Sequence, residues 1–205
     1  MKKLFLSSSF ADVVDLFDQF TRGNYEGKTI TFIPTASLPE KMKFYVGAGK
    51  RALQKLGLVV VELEISTATK EEISSELRSN DAIYITGGNT FFLLQELKRT
   101  GADKIIVEQI KSGKLYVGES AGSIILSPNV EYVKDMDDLQ AAPNLESFSG
   151  LDLVDFYPLP HHTNSPFKKV VEKIISNYGE KISLCPISNA QAIAVHGKNV
   201  EVLGK

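Results

Sequence analysis

Hydrophobic positions along the chain alternate between two periods. Apolar runs of strand length occur at Lys3–Ser8, Thr29–Pro34, Leu58–Ile65, Ala82–Thr86 and Lys114–Val117. Between them, apolar residues recur at three- and four-residue intervals, as on one face of a helix. Val13, Val14, Leu16, Phe17 and Phe20 do so within Ala11–Phe20, and similar patterns cover Pro39–Leu56, Lys70–Arg78, a stretch with Phe91, Leu94 and Leu97, and about Asp103–Lys111. Gly57 stands where a helix C-terminus wants a glycine. From Asn129 to Asp155 the pattern weakens into a polar connection expected to hold short strands. An apolar run at Phe156–Leu159, a helix over Phe167–Tyr178 and closing strands at Ile182–Leu184, Ala190–His196 and Val200–Leu203 complete the pattern. Such alternation predicts right-handed crossovers and a mostly parallel sheet with helices on both faces, a three-layer α/β architecture. No repeat or linker interrupts it, so residues 1–205 are expected to form a single domain.

Composition narrows the chemistry. Lys+Arg 23 against Asp+Glu 25 gives a net charge of -2 without runs of like charge, which argues against nucleic-acid and anionic-membrane partners. The lone Cys185 sits in the apolar run Ile182–Pro186 and reads as a small buried hydrophobe, unable to make an internal disulfide. With three histidines, two of them adjacent, a zinc site has few ligands to draw on, and no cofactor is expected. The apolar stretch Leu4–Leu6 is too short for a signal-peptide core or a membrane span, so the expected compartment is the cytoplasm.

Candidate chemistry lies at two glycine-rich turns that follow strands, where open parallel sheets bind ligands. Gly118-Glu119-Ser120-Ala121-Gly122 leaves a strand and enters an apolar, helix-like stretch. A sharp turn of this kind exposes its serine, and the next amide, that of Ala121, can donate to an oxyanion. The second turn, Gly87-Gly88-Asn89-Thr90, offers close-approaching amides and a helix cap; without a following Lys it is not a P-loop. A serine nucleophile needs an imidazole base and a group to orient it. His196 reads as a strand-end surface residue, whereas His161 and His162 fall in a loop after a strand, and at most one of them should face Ser120. Asp135, Asp137 and Asp138 are the carboxylates between serine and base, and at least two of them should belong to a solvated acidic loop.

These residues together resemble the peptidase E family of aspartyl dipeptidases and, more loosely, cyanophycinase. The resemblance rests on Phe32-Ile33-Pro34, Gly87-Gly88-Asn89-Thr90-Phe91, Tyr116–Gly122, Asp135-Met136 and Pro160-His161-x-Thr163-Asn164, which span most of the chain in the family's order. It implies a sheet similar to class I glutamine amidotransferases, a flavodoxin-like arrangement with serine in place of their cysteine. It also implies Ser120 as nucleophile, His161 as base, and the amides of Gly88 and Ala121 as oxyanion hole. For the third member the resemblance offers Asp135. The family's alternative, a Glu after the last helix, is replaced here within Pro186-Ile187-Ser188-Asn189-Ala190, leaving Asn189 as second choice.

The arginine-bearing insertion expected for gripping a substrate aspartate is missing. Lys168 and Lys169 are the cations left near that position. The implied activity is a serine peptidase acting on short peptides, Asp-X dipeptides among the candidates, with no cofactor and a small peptide as partner. Whether the chain is a monomer or a homodimer stays open. Two other readings also stay open: a catalytically silent ligand-binding member of the fold, and an α/β-hydrolase esterase, which the short stretch after Ser120 disfavours.

Overall fold

The computed structural model describes residues 1–204. The chain forms β1 (Lys3–Ser7), α1 (Val14–Thr21), β2 (Thr29–Ile33), α2 (Phe44–Lys55), β3 (Val59–Glu62), α3 (Lys70–Ser79), β4 (Ala82–Ile85), α4 (Thr90–Thr100), α5 (Ala102–Ser112) and β5 (Leu115–Glu119). There follow the one-turn helix α6 (Ala121–Ile124), β6 (Tyr157–Leu159), α7 (Lys168–Tyr178), β7 (Leu184–Pro186), β8 (Ala192–His196) and β9 (Asn199–Leu203). Seven strands make the central sheet in the order β3-β2-β4-β5-β1-β8-β9. The first five are parallel, as predicted, and β8 and β9 extend the sheet antiparallel from β1.

Side-chain alternation along each strand divides the core in two. Leu4, Leu6, Ile83, Ile85 and Tyr116 point to the face covered by α3, α4 and α5, while Phe5, Ala82, Tyr84, Leu115 and Val117 point to the face covered by α1 and α2. On that second face Phe5 is fully buried, with its ring edge-on to Phe17 at 5.3 Å and to Phe10 at 6.3 Å. Local sequence sets the boundaries as well. Thr69 and Glu72 form a reciprocal capping box at the start of α3, and Asn89 caps α4 by accepting from the Phe92 amide.

Three expectations require correction. The helix predicted over Pro39–Leu56 starts only at Phe44, because the Glu40 amide bonds back to the Ser37 carbonyl and closes a turn instead. The connection 129–155 contains no paired strands among the described residues, only short 3-10 turns and one bridge between Asn129 and Ser149. Its Val130, Tyr132, Val133 and Ala142 instead join Phe91, Leu159, Val171 and Ile174 in a third apolar cluster packed under α7. Finally, the segment near Cys185 does not close the main sheet. As β7 it pairs in parallel with β6, apart from the main sheet, and Cys185 is half-buried.

The aromatic cluster around Phe5 makes the fold sensitive to truncation there. Phe5→Ala is expected to lower the unfolding free energy by about 3–5 kcal/mol, measured by urea denaturation. Phe44→Ala, at a side chain 76% exposed, is expected to change it by less than about 0.5 kcal/mol.

Candidate active site

The site forms at the carboxyl ends of β1, β4 and β5, where the sheet's loops gather. Ser120 follows β5 directly and takes φ 47°, ψ -106°, a left-handed backbone that a non-glycine residue rarely adopts. Neighbouring backbones hold it there. The Ser120 amide donates to the Ser7 carbonyl at 2.9 Å, and the Ser123 hydroxyl reaches both Ser7 and Gly118 carbonyls at 2.9 Å. A Cβ at Gly122 would lie 2.3 Å from the Ile85 carbonyl oxygen, so only glycine lets the turn pack onto β4. The helix after it lasts a single turn and is shorter than the sequence suggests. The Ser127 hydroxyl takes the Ile124 carbonyl, and Pro128 follows.

His161 comes from the loop after β6. Its amide donates to the Ser8 hydroxyl at 3.0 Å, and its φ of 64° turns the chain sharply. The Phe167 ring stacks on the imidazole at 4.6 Å. Ser120 Oγ and His161 Nε2 are 2.9 Å apart, and on the far side His161 Nδ1 lies 3.0 Å from Asn189 Oδ1. An amide oxygen only accepts, so Nδ1 carries the proton and Nε2 is left to accept from the serine hydroxyl. Asn189 is itself held: its amide donates to Asn164 Oδ1 at 2.8 Å. That bond gives Asn164 of the His161-x-Thr163-Asn164 segment its structural task. Burial keeps the imidazole pKa below its ordinary value, and the Asn189 hydrogen bond partly opposes this.

Asp135, the first choice for the orienting group, is not in this arrangement. Its Oδ2 pairs with Lys173 Nζ at 3.0 Å at the protein surface, whereas Asn189 occupies the position beside Nδ1. Such an exposed pair contributes little. The expectation that at least two of the three acids are solvated agrees with the exposed Asp135 and Asp138. Asp137 is not a solvated loop residue. Its Oδ2 accepts from the Thr90 amide at 2.8 Å, and burial raises its pKa to about 6 despite the Thr90 hydrogen bonds, with Glu40 adding to the rise. His162 and His196 stay outside the site; His196 lies against Phe20 at the surface.

A cavity of about 470 Å³ opens over Ser120 and His161, with Gly88 and Asn189 in its wall. Gly88 has φ +134°, and a Cβ there would lie 2.1 Å from the Ala36 carbonyl oxygen. Among the described residues, the Gly88 and Ala121 amides make no backbone hydrogen bond, which leaves both free to donate to a ligand oxygen. Wall residues not foreseen as such from the sequence include Asp12, Glu40, Phe44, Tyr45, Glu119 and Phe167. Glu119, 2% exposed, accepts from the Phe10 amide and the Tyr84 hydroxyl. Burial lifts its pKa to about 6 against those hydrogen bonds and one from the Gly87 amide. The sequence does carry a signal for Glu119, a lone charge at the end of an otherwise apolar strand. Glu40, Phe44 and Tyr45 reach the wall through the turn that replaces the first part of the predicted helix.

Comparison with known proteins identifies the family. The profile of peptidase family S51 matches residues 4–203. The protein named uncharacterized peptidase Lmo0363 of Listeria monocytogenes serovar 1/2a is 58% identical over 200 residues, covering 98% of this chain and 97% of that one. Uncharacterized peptidase PM1590 of Pasteurella multocida strain Pm70 is 52% identical over 204 residues, with 100% and 98% covered. The same strain has a peptidase E that is 27% identical over 191 residues, with 89% and 77% covered. Among solved structures, a Listeria monocytogenes EGD-e protein provisionally named peptidase E superposes with a TM-score of 0.96 at 56% identity, covering 100% of this chain and 99% of the other.

Removing the Asn189 side chain leaves the imidazole without its tautomer lock. Asn189→Ala is expected to lower peptide turnover by about a hundredfold, between a lost neutral hydrogen bond and a wrong tautomer. Asp135→Asn should leave turnover within about twofold of wild type. Steady-state kinetics of the two variants on one peptide checks both.

Proposed function

The chain belongs to peptidase family S51 and is a serine-type peptidase; from that premise we propose that it hydrolyses short peptides through Ser120, His161 and Asn189. The observation that carries this reading is the continuous chain of two hydrogen bonds, Ser120 Oγ to His161 Nε2 at 2.9 Å and His161 Nδ1 to Asn189 Oδ1 at 3.0 Å. Ser120 Oγ attacks the scissile carbonyl as its proton passes to Nε2. The carbonyl oxygen becomes an oxyanion that the Gly88 and Ala121 amides receive. Collapse of the tetrahedral intermediate breaks the C–N bond, and Nε2 returns the proton to the leaving amine. Water then enters, Nε2 takes one of its protons, and the acyl-enzyme is hydrolysed to free Ser120 and a carboxylic acid.

Asn189 orients the imidazole and fixes its tautomer, but as a neutral group it does less than a carboxylate to stabilise imidazolium. Its effect on His161 has a definite sign. The base works when neutral, and burial holds its pKa below 6.5, so activity persists into mildly acidic solution and falls only as pH drops through that lower value. A cavity of about 470 Å³ has room for a short peptide segment, and the resemblance to aspartyl dipeptidases makes dipeptides the first substrates to try.

Two measurements test this. Mass spectrometry of a mixed dipeptide and tripeptide pool should show cleavage by wild type and none by Ser120→Ala; cleavage by the variant would contradict the assignment. In the pH profile of kcat/KM, the acid limb should lie below pH 6.5, and Asn189→Asp should move it upward by placing a negative charge beside the imidazolium. A limb unmoved by that substitution would place the titration elsewhere, for instance on Glu119 or Asp137.

A further inference from the structure

The charge of the cavity does not suit an acidic substrate. Five carboxylates line it, Asp12, Glu40, Glu119, Asp137 and Asp138, while among the described residues no Lys or Arg does. Lys168 and Lys169, the cations the sequence offered for gripping a substrate carboxylate, are exposed and lie outside the cavity wall. Among the described residues, none of the five carboxylates is in an ion pair; the ion pairs use Asp81, Glu62, Glu108, Glu96, Glu131 and Asp135. Nor are they gathered as a metal shell, since no group of three or more acidic, His or Cys residues could hold a metal ion among the described residues.

Independent features of the same wall point to an organic cation. The Tyr45 hydroxyl is buried in the cavity wall and has no hydrogen-bond partner. Burial raises its pKa, and the charges of Glu40, Glu119 and Asp137, which line the same cavity, add to the rise. Phe44, Tyr45 and Phe167 also line the cavity. Aromatic faces and desolvated carboxylates together make a receptor for an ammonium or guanidinium group. The same surroundings repel a carboxylate, which would bring another negative charge among like charges in a poorly hydrated space.

We propose that the cavity selects peptides presenting a positive charge on the acyl side of the scissile bond, received by Asp137 and Glu40, and that it disfavours N-terminal aspartate. This names the substrate class of the Ser120 site and rests on the peptidase reading above. The charge has two sources, a free α-ammonium group or a basic side chain. A division of substrates within the family accords with Pasteurella multocida strain Pm70 having both a peptidase E and PM1590, which is far more similar to this chain.

The test separates binding from catalysis. Affinities of Lys-Ala, Leu-Ala, N-acetyl-Leu-Ala and Asp-Ala amides are measured by calorimetry on Ser120→Ala, which binds without turning over. At least one step, from N-acetyl-Leu-Ala to Leu-Ala or from Leu-Ala to Lys-Ala, should tighten binding by about tenfold or more. The first step identifies the α-ammonium as the recognised group and the second the side chain. Asp-Ala should bind more weakly than Leu-Ala. Adding Asp137→Asn should remove most of the preference, and Glu40→Gln serves if that protein does not fold. Affinities independent of charge, Asp-Ala binding as well as Leu-Ala, or no binding of any amide to folded protein would overturn the proposal. Turnover of the same amides by wild type reports on Ser120 separately. Charge-selective binding without turnover would defeat the peptidase mechanism alone, and turnover without charge preference would defeat the selectivity alone.

Discussion

Two consecutive residues at the end of β1 fix the site. The Ser7 carbonyl receives the Ser120 amide, and the Ser8 hydroxyl receives the His161 amide while donating to the Ile187 carbonyl. Ser120 and His161, 41 residues apart in sequence, are thus registered against one point of the central sheet. Each has a left-handed backbone, a conformation that costs on the order of 1–3 kcal/mol and persists only where surrounding contacts over-determine it. Ser123, Gly118 and Gly122 provide those contacts for Ser120, and the Phe167 ring helps to do so for His161. Strain at two residues is offset by the rigidity of the strand that both lean on.

From that anchor the orientation passes outward through neutral groups. Asn164 holds the Asn189 backbone, Asn189 holds His161 Nδ1, and His161 accepts from Ser120. The chain is geometrically complete without a buried carboxylate beside the imidazole. Acids stand instead in the cavity wall, where burial raises the pKa of Glu119 and Asp137 to about 6. A site of this kind separates two tasks that one carboxylate combines elsewhere: aiming the base, and supplying negative charge near the reaction.

Much of this was legible in the residues. The parallel sheet followed from alternation of period, and Ser120 and His161 from turn chemistry and loop position together with the family resemblance, which the S51 match over residues 4–203 bears out for the chain as a whole. The orienting group was misjudged because chemical preference favours a carboxylate, and nothing local to Asp135 reveals that Lys173 would claim it. The wall residues were hidden for a related reason. Apolar periodicity carries the α2 pattern back to Pro39, but a turn at Ser37–Glu40 breaks it and brings Glu40, Phe44 and Tyr45 to the cavity. Asp137 likewise has an ordinary acidic-loop sequence around it, and only the Thr90 amide at the start of α4 draws it inward. What stays invisible in each case is a contact between segments distant in sequence.

In the proposed mechanism Ser120 alone among the chain's serines is an activated nucleophile. Treating the protein with a fluorophosphonate and mapping the adduct by peptide mass spectrometry tests it without any assumption about substrate. Modification is expected at Ser120 only, at a rate that falls when His161 is replaced by Gln. Absence of labelling in folded protein, or labelling spread over other serines at a rate indifferent to His161, would contradict it.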